Sequence, residues 1–227
     1  MINRQNKYQK ELQNLFWENR INSDIMRVQQ LSFFAELVVE KNKQVNLISR
    51  KDIDNIIENH IFISSFIAAY VPNKCRNFVD IGTGGGFPGI PLAISRPELN
   101  GVLVDSTGKK IDAVKEFVNK LKLGNLKVEN DRVESNEFIA KYSNKFDLVV
   151  SRSSVPLIIL FRYALPLVKE KSFIVCIKGG DLADEYKKAE MKYKAYIKKS
   201  TIYDLSYKPS NVRNQKGKKL VLLELLK

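Results

Sequence analysis

Residues 79–89 read Val79-Asp80-Ile81-Gly82-Thr83-Gly84-Gly85-Gly86-Phe87-Pro88-Gly89, a glycine-rich turn that follows an apolar segment. Phe78, Val79 and Ile81 have the character of a buried strand, and Pro88 and Pro91 stand where a helix would begin. Glycines at such a turn let the backbone bend tightly and approach a ligand closely. The stretch therefore predicts a nucleotide-type cofactor site at the carboxyl end of a first strand.

The sequence of this turn is consistent with two kinds of cofactor, a dinucleotide or S-adenosylmethionine. Residues 84–89 satisfy the dinucleotide pattern G-x-G-x-x-G, which is weak when it stands alone. Asp80, however, places a negative charge two residues before the first glycine, and this charge suits the sulfonium and amino groups of S-adenosylmethionine and repels a pyrophosphate. The two prolines also remove backbone N–H groups that would hold phosphates. Both points favour S-adenosylmethionine, with Asp80, Gly82, Gly84 and Gly86 as contacts.

Beyond the turn, apolar strands alternate with amphipathic helices. Strands are predicted over residues 77–82, 102–105, 126–129, 146–151, 172–178 and 219–225, with a weaker one near 202–205. Helices are predicted over residues 88–96, 109–122, 157–166 and 181–195. This alternation predicts an α/β fold, a mostly parallel seven-stranded sheet with helices on both faces. The segment 219–225 suits a final edge strand or an inserted one.

The first part of the chain has a helical pattern instead. Apolar residues from Ile25 to Val38 recur at helical spacing after an Asp24 cap, and a second stripe runs through His60 with Asp52 near its start. We predict a helical extension over residues 1–75, packed on a core domain over residues 76–227 as one compact unit. His60 is expected to be a half-buried structural residue of this extension.

Composition excludes several kinds of site. The chain has 227 residues, two cysteines without metal-ligand spacing and a single histidine. We therefore expect no disulfide framework and no metal site. The amino-terminal residues lack the apolar core of a signal peptide, and no uncharged stretch approaches the length of a membrane span. A cytoplasmic protein without a membrane anchor is expected.

The net charge of +13 favours a polyanionic partner. Residues 187–219 carry eleven bases against two acids, a net +9. A biased composition, with lysines that decorate a solvated surface, is the alternative. The clustering of the bases favours the polyanion.

The ends of the later strands supply further site residues, since the carboxyl ends of parallel strands meet at one crevice. Asp105 ends the second strand, where a carboxylate accepts hydrogen bonds from ribose hydroxyls; capping the next helix is its alternative role. The loop 130–134 lies where an adenine would bind, and Arg152 follows the fourth strand, nearest the reacting group. Residues 151–154 read Ser-Arg-Ser-Ser, so they lack the Asn/Asp-Pro-Pro-aromatic run typical of enzymes that methylate exocyclic amino groups.

Several motifs together resemble one family. They are Gly82-Thr83-Gly84-Gly85-Gly86-Phe87-Pro88-Gly89-Ile90-Pro91-Leu92, Asp105-Ser106 with Lys109-Lys110, Arg132-Val133-Glu134, Ser151-Arg152 and Lys178-Gly179, with Asn46-Leu47 and His60 upstream. In these residues the chain is similar to the bacterial small-subunit ribosomal RNA guanine-N7 methyltransferases G, also called glucose-inhibited division protein B. The resemblance covers roughly residues 40–180, and its glycine block is specific. The chain departs from the family at Ile63, Thr107 and Ser153.

The resemblance implies a Rossmann-like fold that methylates N7 of one guanine in small-subunit ribosomal RNA, with S-adenosylmethionine as cofactor and either the RNA or the assembled small subunit as partner. It implies cofactor contacts at Gly82, Phe87, Val133, Glu134 and Arg152. Arg152 is also expected to position the reacting groups, with no general base. A basic rim for RNA is predicted at Lys109, Lys110, Lys178 and part of the carboxyl-terminal basic cluster in residues 187–219, and the protein is expected to be a monomer.

Three other functions remain open from the residues. A small-molecule methyltransferase would use the same cofactor site but leave the basic cluster unexplained. A nicotinamide-dependent oxidoreductase would use the overlapping glycine pattern. A non-catalytic RNA-binding protein would keep the nucleotide pocket without transferring a methyl group.

Overall fold

A seven-stranded sheet, with helices on both faces, organises the chain in the computed structural model. The structure describes residues 2–22, 24–152, 155–211 and 214–227. Ser153 and Ser154, which the sequence analysis names, lie outside the described residues.

The strands are mostly parallel. In chain order they are β1 (Asn77–Ile81), β2 (Asn100–Asp105), β3 (Leu126–Asn130), β4 (Phe146–Ser151), β5 (Val168–Gly179), β6 (Ile197–Asp204) and β7 (Lys218–Leu226). Their order across the sheet is β3-β2-β1-β4-β5-β7-β6. Strands β1 to β5 pair in parallel, whereas β7 is inserted between β5 and β6 and is antiparallel to both. The prediction of a mostly parallel seven-stranded sheet is confirmed.

The helices fall into two groups along the chain. Those of the extension are α1 (Ile2–Glu18), α2 (Ile25–Lys41), a 3-10 turn (Arg50–Asp52), a π-helix (Ile57–Phe62), α3 (Ile63–Phe66) and a 3-10 turn (Ile67–Tyr70). Those that alternate with the strands are α4 (Gly89–Ser95), α5 (Gly108–Lys120), α6 (Asn136–Tyr142), α7 (Leu157–Ala164) and α8 (Ala183–Tyr193).

Successive side chains of β1 point to opposite faces of the sheet, and they belong to two separate apolar clusters. Phe78 packs in the cluster that contains α1, α2, α4 and α5. Val79 and Ile81 pack in the cluster that contains α6, α7 and α8. The extension therefore covers the same face of the sheet as α4 and α5. The division into residues 1–75 and 76–227 remains a prediction, although both segments contribute to one apolar cluster.

The strand order reverses between β1 and β4, which lie side by side although β2 and β3 separate them in the chain. In open α/β sheets, ligands bind beyond the carboxyl ends of the strands at such a switch point. The Ser151 hydroxyl at the end of β4 donates to the Ile81 carbonyl at the end of β1 (3.0 Å). The two segments that flank the expected site are thus fixed to each other.

Several predicted boundaries differ from the structure. The prediction lacks α6, whose amino terminus is capped by the Ser135 hydroxyl accepting from the Phe138 N–H (3.0 Å). Strand β6 is longer than the weak strand predicted, because β7 supplies its backbone partners. The Asp24 cap is confirmed, but Ile25 is 62 % exposed, so the buried stripe begins at Val28. Within the described ranges, no helix is long and apolar enough to cross a bilayer.

Candidate functional site

The turn after β1 is organised by one buried carboxylate. Asp80 Oδ2 accepts from the Thr83 hydroxyl (2.7 Å) and from the Gly89 N–H at the start of α4 (2.9 Å). Asp80 is fully buried, and its other oxygen has no hydrogen-bond partner among the described residues. Asp80 therefore shapes the turn from inside rather than facing an open cavity.

Burial raises the pKa of Asp80 to about 7, and the negative charge of Asp105 adds to the shift. The hydrogen bonds from Thr83 and Gly89 act in the opposite direction, since they stabilise the carboxylate. Asp80 is predicted from the sequence to present a negative charge to the cofactor. Its protonated and charged forms are instead close in free energy near neutral pH.

Two glycines of the turn are required by its geometry. Gly82 has φ of 71° and Gly86 has φ of 92°, in the left-handed region that side chains disfavour. A Cβ at Gly86 would also lie 2.6 Å from Ile90 Cδ1 and 3.3 Å from Phe34 Cζ. The backbone here is thus packed closely against α4 and α2.

A cavity of about 220 Å³ opens beside the turn. Its lining includes four of the predicted cofactor contacts, Gly82, Asp105, Val133 and Glu134, together with Tyr163. Asp105 also anchors the turn, because its carboxylate accepts from the Gly84 N–H (2.9 Å) and the Thr107 N–H (2.9 Å). The ends of β1 and β2 and the loop after β3 therefore meet as the sequence predicted.

The chemistry of this cavity fits the nucleoside part of S-adenosylmethionine. Three carboxylates, on Asp105, Asp131 and Glu134, line it together with one cation, Arg132, so the lining is acidic overall. The carboxylates provide acceptors for hydroxyl and amino groups, while Val133 and Tyr163 provide apolar surface. The same carboxylates would repel a pyrophosphate. The Gly89 N–H at the start of α4, where a phosphate would bind, is already held by Asp80.

Phe87 lies on the other side of the turn, under the extension. It is 6 % exposed, and its ring centroid lies 5.1 Å from that of Phe34 and 5.1 Å from that of His60. Leu47 packs on the same turn, since a Cβ at Gly85 would lie 3.1 Å from Leu47 Cβ. The extension thus forms a second wall over the glycine turn. In the sequence, the only indication that the extension contributes to the site was the family resemblance at Asn46-Leu47 and His60.

Arg152 is bound to the extension rather than to the 220 Å³ cavity. Its guanidinium donates to the carbonyls of Asn59 and His60 (3.3 Å for His60) and to the Ser64 hydroxyl (3.2 Å). Arg152, Asp80, Gly84, Gly86 and Phe87 are not part of the described lining of that cavity. The predicted cofactor contacts therefore form two groups: four line the nucleoside cavity, and the other five lie in the glycine turn, beneath it or at the end of β4.

His60 is neutral at physiological pH. Burial and the neighbouring Arg152 charge lower the pKa of His60 to about 3, against the opposing effect of Asp52. The Asp52 carboxylate lies 3.3 Å from His60 Nε2 and accepts from the Asn59 amide (2.9 Å). The expectation of a half-buried histidine agrees with a side chain that is 14 % exposed.

The three predicted RNA-binding lysines have different surroundings. Lys109 is exposed, and Lys110 lines a cavity of about 580 Å³ beside the loop 46–50. Lys178 is buried: its ammonium pairs with Glu185 (2.8 Å) and donates to the Val155 carbonyl. Lys178 is therefore buried and ion-paired, unlike the exposed Lys109.

Sequence comparisons point to one family. A family model described as "rRNA small subunit methyltransferase G" (GidB) matches residues 27–212. A protein named ribosomal RNA small subunit methyltransferase G from Chlorobium luteolum is 40 % identical over 179 residues, 78 % of this chain and 73 % of that protein. One of the same name from Bacteroides fragilis is 38 % identical, over 71 % of this chain and 80 % of that protein.

Solved structures share the fold at low sequence identity. An O-methyltransferase from Bacillus cereus in complex with SAH has a TM-score of 0.64 and 16 % identity, and the match covers 98 % of this chain and 100 % of that one. TYW2 from M. jannaschii in complex with AdoMet has a TM-score of 0.57 and 13 % identity, over 82 % of this chain and 80 % of that one. These similarities confirm the Rossmann-like methyltransferase fold.

We expect Asp80→Asn to flatten the pH dependence of stability. Since the pKa of the folded acid is raised, the folded chain holds this proton more tightly than the unfolded chain does. The free energy of unfolding of the wild type therefore falls as pH rises from the ordinary value of 3.8 through about 7. The asparagine amide is neutral over this interval, and its oxygen still accepts from Thr83 and Gly89. Urea unfolding across the interval measures the difference.

Asp112→Asn is the matched control, because Asp112 is exposed on α5. That variant should keep the slope of the wild type. Parallel stability curves for the wild type and Asp80→Asn would contradict the raised pKa of Asp80.

Proposed function

The chain belongs to the family of rRNA small subunit methyltransferases G, and on this basis we propose that it transfers a methyl group from S-adenosylmethionine to N7 of one guanine in small-subunit ribosomal RNA. It is an S-adenosylmethionine-dependent enzyme that acts on RNA. The single observation that supports the proposal best is the acidic nucleoside cavity beside the glycine turn. At the end of this turn the Gly89 N–H, which begins α4, already donates to Asp80.

The residues at the site are suited to a reaction that needs no general base. S-adenosylmethionine, when bound, supplies an electrophilic methyl group on its sulfonium. Guanine N7 carries a lone pair and no proton at neutral pH, so no side chain has to remove a proton. His60, with a pKa of about 3, would accept no proton near neutral pH in any case. The work of the site is orientation and exclusion of water, which supplies about 7–11 kcal/mol in well-aligned reactions.

Cofactor contacts at Gly82, Asp105, Val133 and Glu134 are part of the proposal. Asp105 would accept from the ribose and Glu134 from polar groups of the nucleoside, while Val133 covers the base. Asp80, Gly84, Gly86 and Phe87 would act through the shape of the turn. Arg152 would hold the end of β4 at the reacting group, because its guanidinium fixes this end to the extension.

The RNA is proposed to approach along a basic rim at Lys109 and Lys110. Lys110 and Arg50 line the same cavity of about 580 Å³, beside the loop 46–50. That loop is held by Asn42, whose side-chain oxygen accepts from the N–H groups of Leu47 (2.8 Å) and Ile48 (3.0 Å). Lysine and arginine contacts to phosphate position a nucleic acid without reading its sequence. A cytoplasmic location and a monomeric state complete the proposal.

The decisive experiment is methyl transfer from labelled S-adenosylmethionine to small ribosomal subunits from a strain that lacks this gene. We expect label on guanine N7 after nuclease digestion and separation of the nucleosides. Label on another base would contradict the N7 assignment. Tight RNA binding without label would favour a non-catalytic RNA-binding protein, and label in small molecules without RNA would favour a small-molecule methyltransferase.

We expect Arg152→Ala to lower kcat by about 100-fold, since a small misplacement of the reacting groups has effects of that order. Steady-state kinetics with saturating cofactor and small subunits measure this. Arg4→Ala, which removes an exposed arginine from α1, is the control. Thermal unfolding of both variants separates loss of orientation from loss of structure. Near-normal kcat in Arg152→Ala would refute the assignment.

We expect the double variant Lys109→Ala/Lys110→Ala to bind small subunits more weakly and with a reduced salt dependence. Each lost phosphate contact lowers the slope of log K against log[salt] by about 1. Lys7→Ala/Lys10→Ala, which removes two exposed lysines from α1, should keep the wild-type slope. Equal slopes for the two double variants would argue against the rim.

A further inference from the structure

The segment between β6 and β7 is attached firmly to the extension at its amino-terminal end. The Lys208 backbone N–H donates to the side-chain oxygen of Asn19 at the end of α1 (2.9 Å), and the Asn19 amide donates to the Lys208 carbonyl. Tyr207 is buried, with its ring 5.1 Å from that of Phe62. We call residues 205–217, which join β6 to β7, the β6–β7 arm; its residues Tyr207 and Lys208 therefore lie against helices far away in the sequence.

Two adjacent residues of the π-helix bind the arm through their side chains. Glu58 Oε1 accepts from the Tyr207 hydroxyl (3.1 Å), the Asn211 N–H (2.8 Å) and the Asn214 amide (2.9 Å). Asn59 Oδ1 accepts from the Asn211 and Asn214 amides, both at 2.8 Å. Glu58 and Asn59 are thus the main attachment point of the arm.

This polar network is buried, which gives it a fixed geometry. Asn59 and Asn214 are each 3 % exposed. Buried amides are unfavourable unless they are hydrogen-bonded, and a fully bonded network specifies one arrangement of its members. An apolar contact would attach the arm without specifying its register.

The same helical turn holds Arg152. The Asn59 carbonyl accepts from the Arg152 guanidinium, while the Asn59 side chain accepts from the arm. Residue 59 therefore touches both the arm and the side chain at the end of β4. Asn59 thus connects the arm directly to Arg152.

The charge of the arm identifies its partner. Residues 205–217 contain two lysines and one arginine and no acidic residue, and Lys218 and Lys219 follow at the start of β7, where Lys219 pairs with Asp204 (2.7 Å). Lys208 is exposed, and no ion pair to it is formed within the described residues. A surface of this composition binds a polyanion through phosphate contacts.

We propose that the β6–β7 arm is a second RNA-binding surface, and that Glu58 and Asn59 are positioning residues that fix it relative to Arg152. The inference rests on the proposed function, because it takes the RNA substrate from there. RNA that docks on the arm would present its target base at the end of β4. The arm is separate from the rim at Lys109 and Lys110, which belongs to α5.

The first test changes the charge of the arm. We expect Lys208→Glu to lower the affinity for small ribosomal subunits and to reduce the slope of log K against log[salt] by about 1 or more. Lys10→Glu makes the same change on exposed α1 and should leave the slope unchanged. Binding is measured without cofactor, so it does not depend on methyl transfer.

The second test changes the attachment. Asn214→Asp replaces the amide that donates to Glu58 and Asn59 by a carboxylate that repels Glu58. We expect the KM for small subunits to rise about tenfold, in line with the loss of buried hydrogen bonds. Affinity for S-adenosylmethionine should not change. In the double variant Glu58→Gln/Asn214→Asp, the new amide can donate to the new carboxylate, so KM should recover. Asn119→Asp, exposed on α5, is the charge control.

The outcomes separate this inference from the proposed function. Failure of the wild type to methylate small subunits would refute the function, whereas the salt slope of Lys208→Glu still tests the arm. An unchanged slope in Lys208→Glu overturns the inference. So does a lower melting temperature of Asn214→Asp with an unchanged KM, since the network would then be only a structural anchor.

Discussion

The contact between Asp80 and the first residue of α4 determines the shape of the site. The Asp80 carboxylate has no access to water. It accepts hydrogen bonds from both Thr83 and Gly89, so the turn between these two residues has one arrangement. A buried carboxylate with only one oxygen bonded is unfavourable, and the raised pKa reflects this. Because the Gly89 N–H already donates to Asp80, it is not available to bind a phosphate at the start of α4. The cavity lined by Asp105, on the other side of the turn, is available to a nucleoside. The choice of cofactor thus follows from the position of the buried Asp80 carboxyl group, which accepts from the Gly89 N–H.

The second determinant is the extension, which forms part of the site. Leu47 and Phe34 pack on the glycine turn, and the π-helix carbonyls bind Arg152 at the end of β4. A π-helix carries one extra residue per turn and is common at functional positions. Here Glu58 and Asn59 both bind the β6–β7 arm, and His60 lies against Phe87 and Asp52. A sheet and its crossover helices supply the nucleoside cavity, and the extension supplies the opposite wall.

Features that depend on local sequence patterns could be predicted, whereas features that depend on contacts between residues distant in the chain could not. Apolar strands and the glycine turn are local patterns, so the sheet and the cavity at Gly82, Asp105, Val133 and Glu134 followed from the sequence. The short helix α6 was missed because its amino-terminal signal is a single serine cap. The roles of Asp80 and Lys178 were missed because both depend on burial, and burial depends on partners distant in the chain. The bonds of Arg152 to residues about ninety positions earlier had no signal in the pattern.

The insertion of β7 between β5 and β6 sets an order of events during synthesis on the ribosome. Strand β6 leaves the ribosome first, yet it has no partner in the sheet until β7 follows. Until then the outer edge of β5, which is apolar from Phe173 to Ile177, has unpaired backbone groups of the kind that promote aggregation. Thirty-eight residues separate β5 from β7. Their synthesis takes about 2–8 s at elongation rates of roughly 5–20 residues per second. The outer edge of β5 therefore stays unpaired while the basic residues 187–217 are synthesised, and the like charge of these residues in neighbouring nascent chains opposes association at that edge.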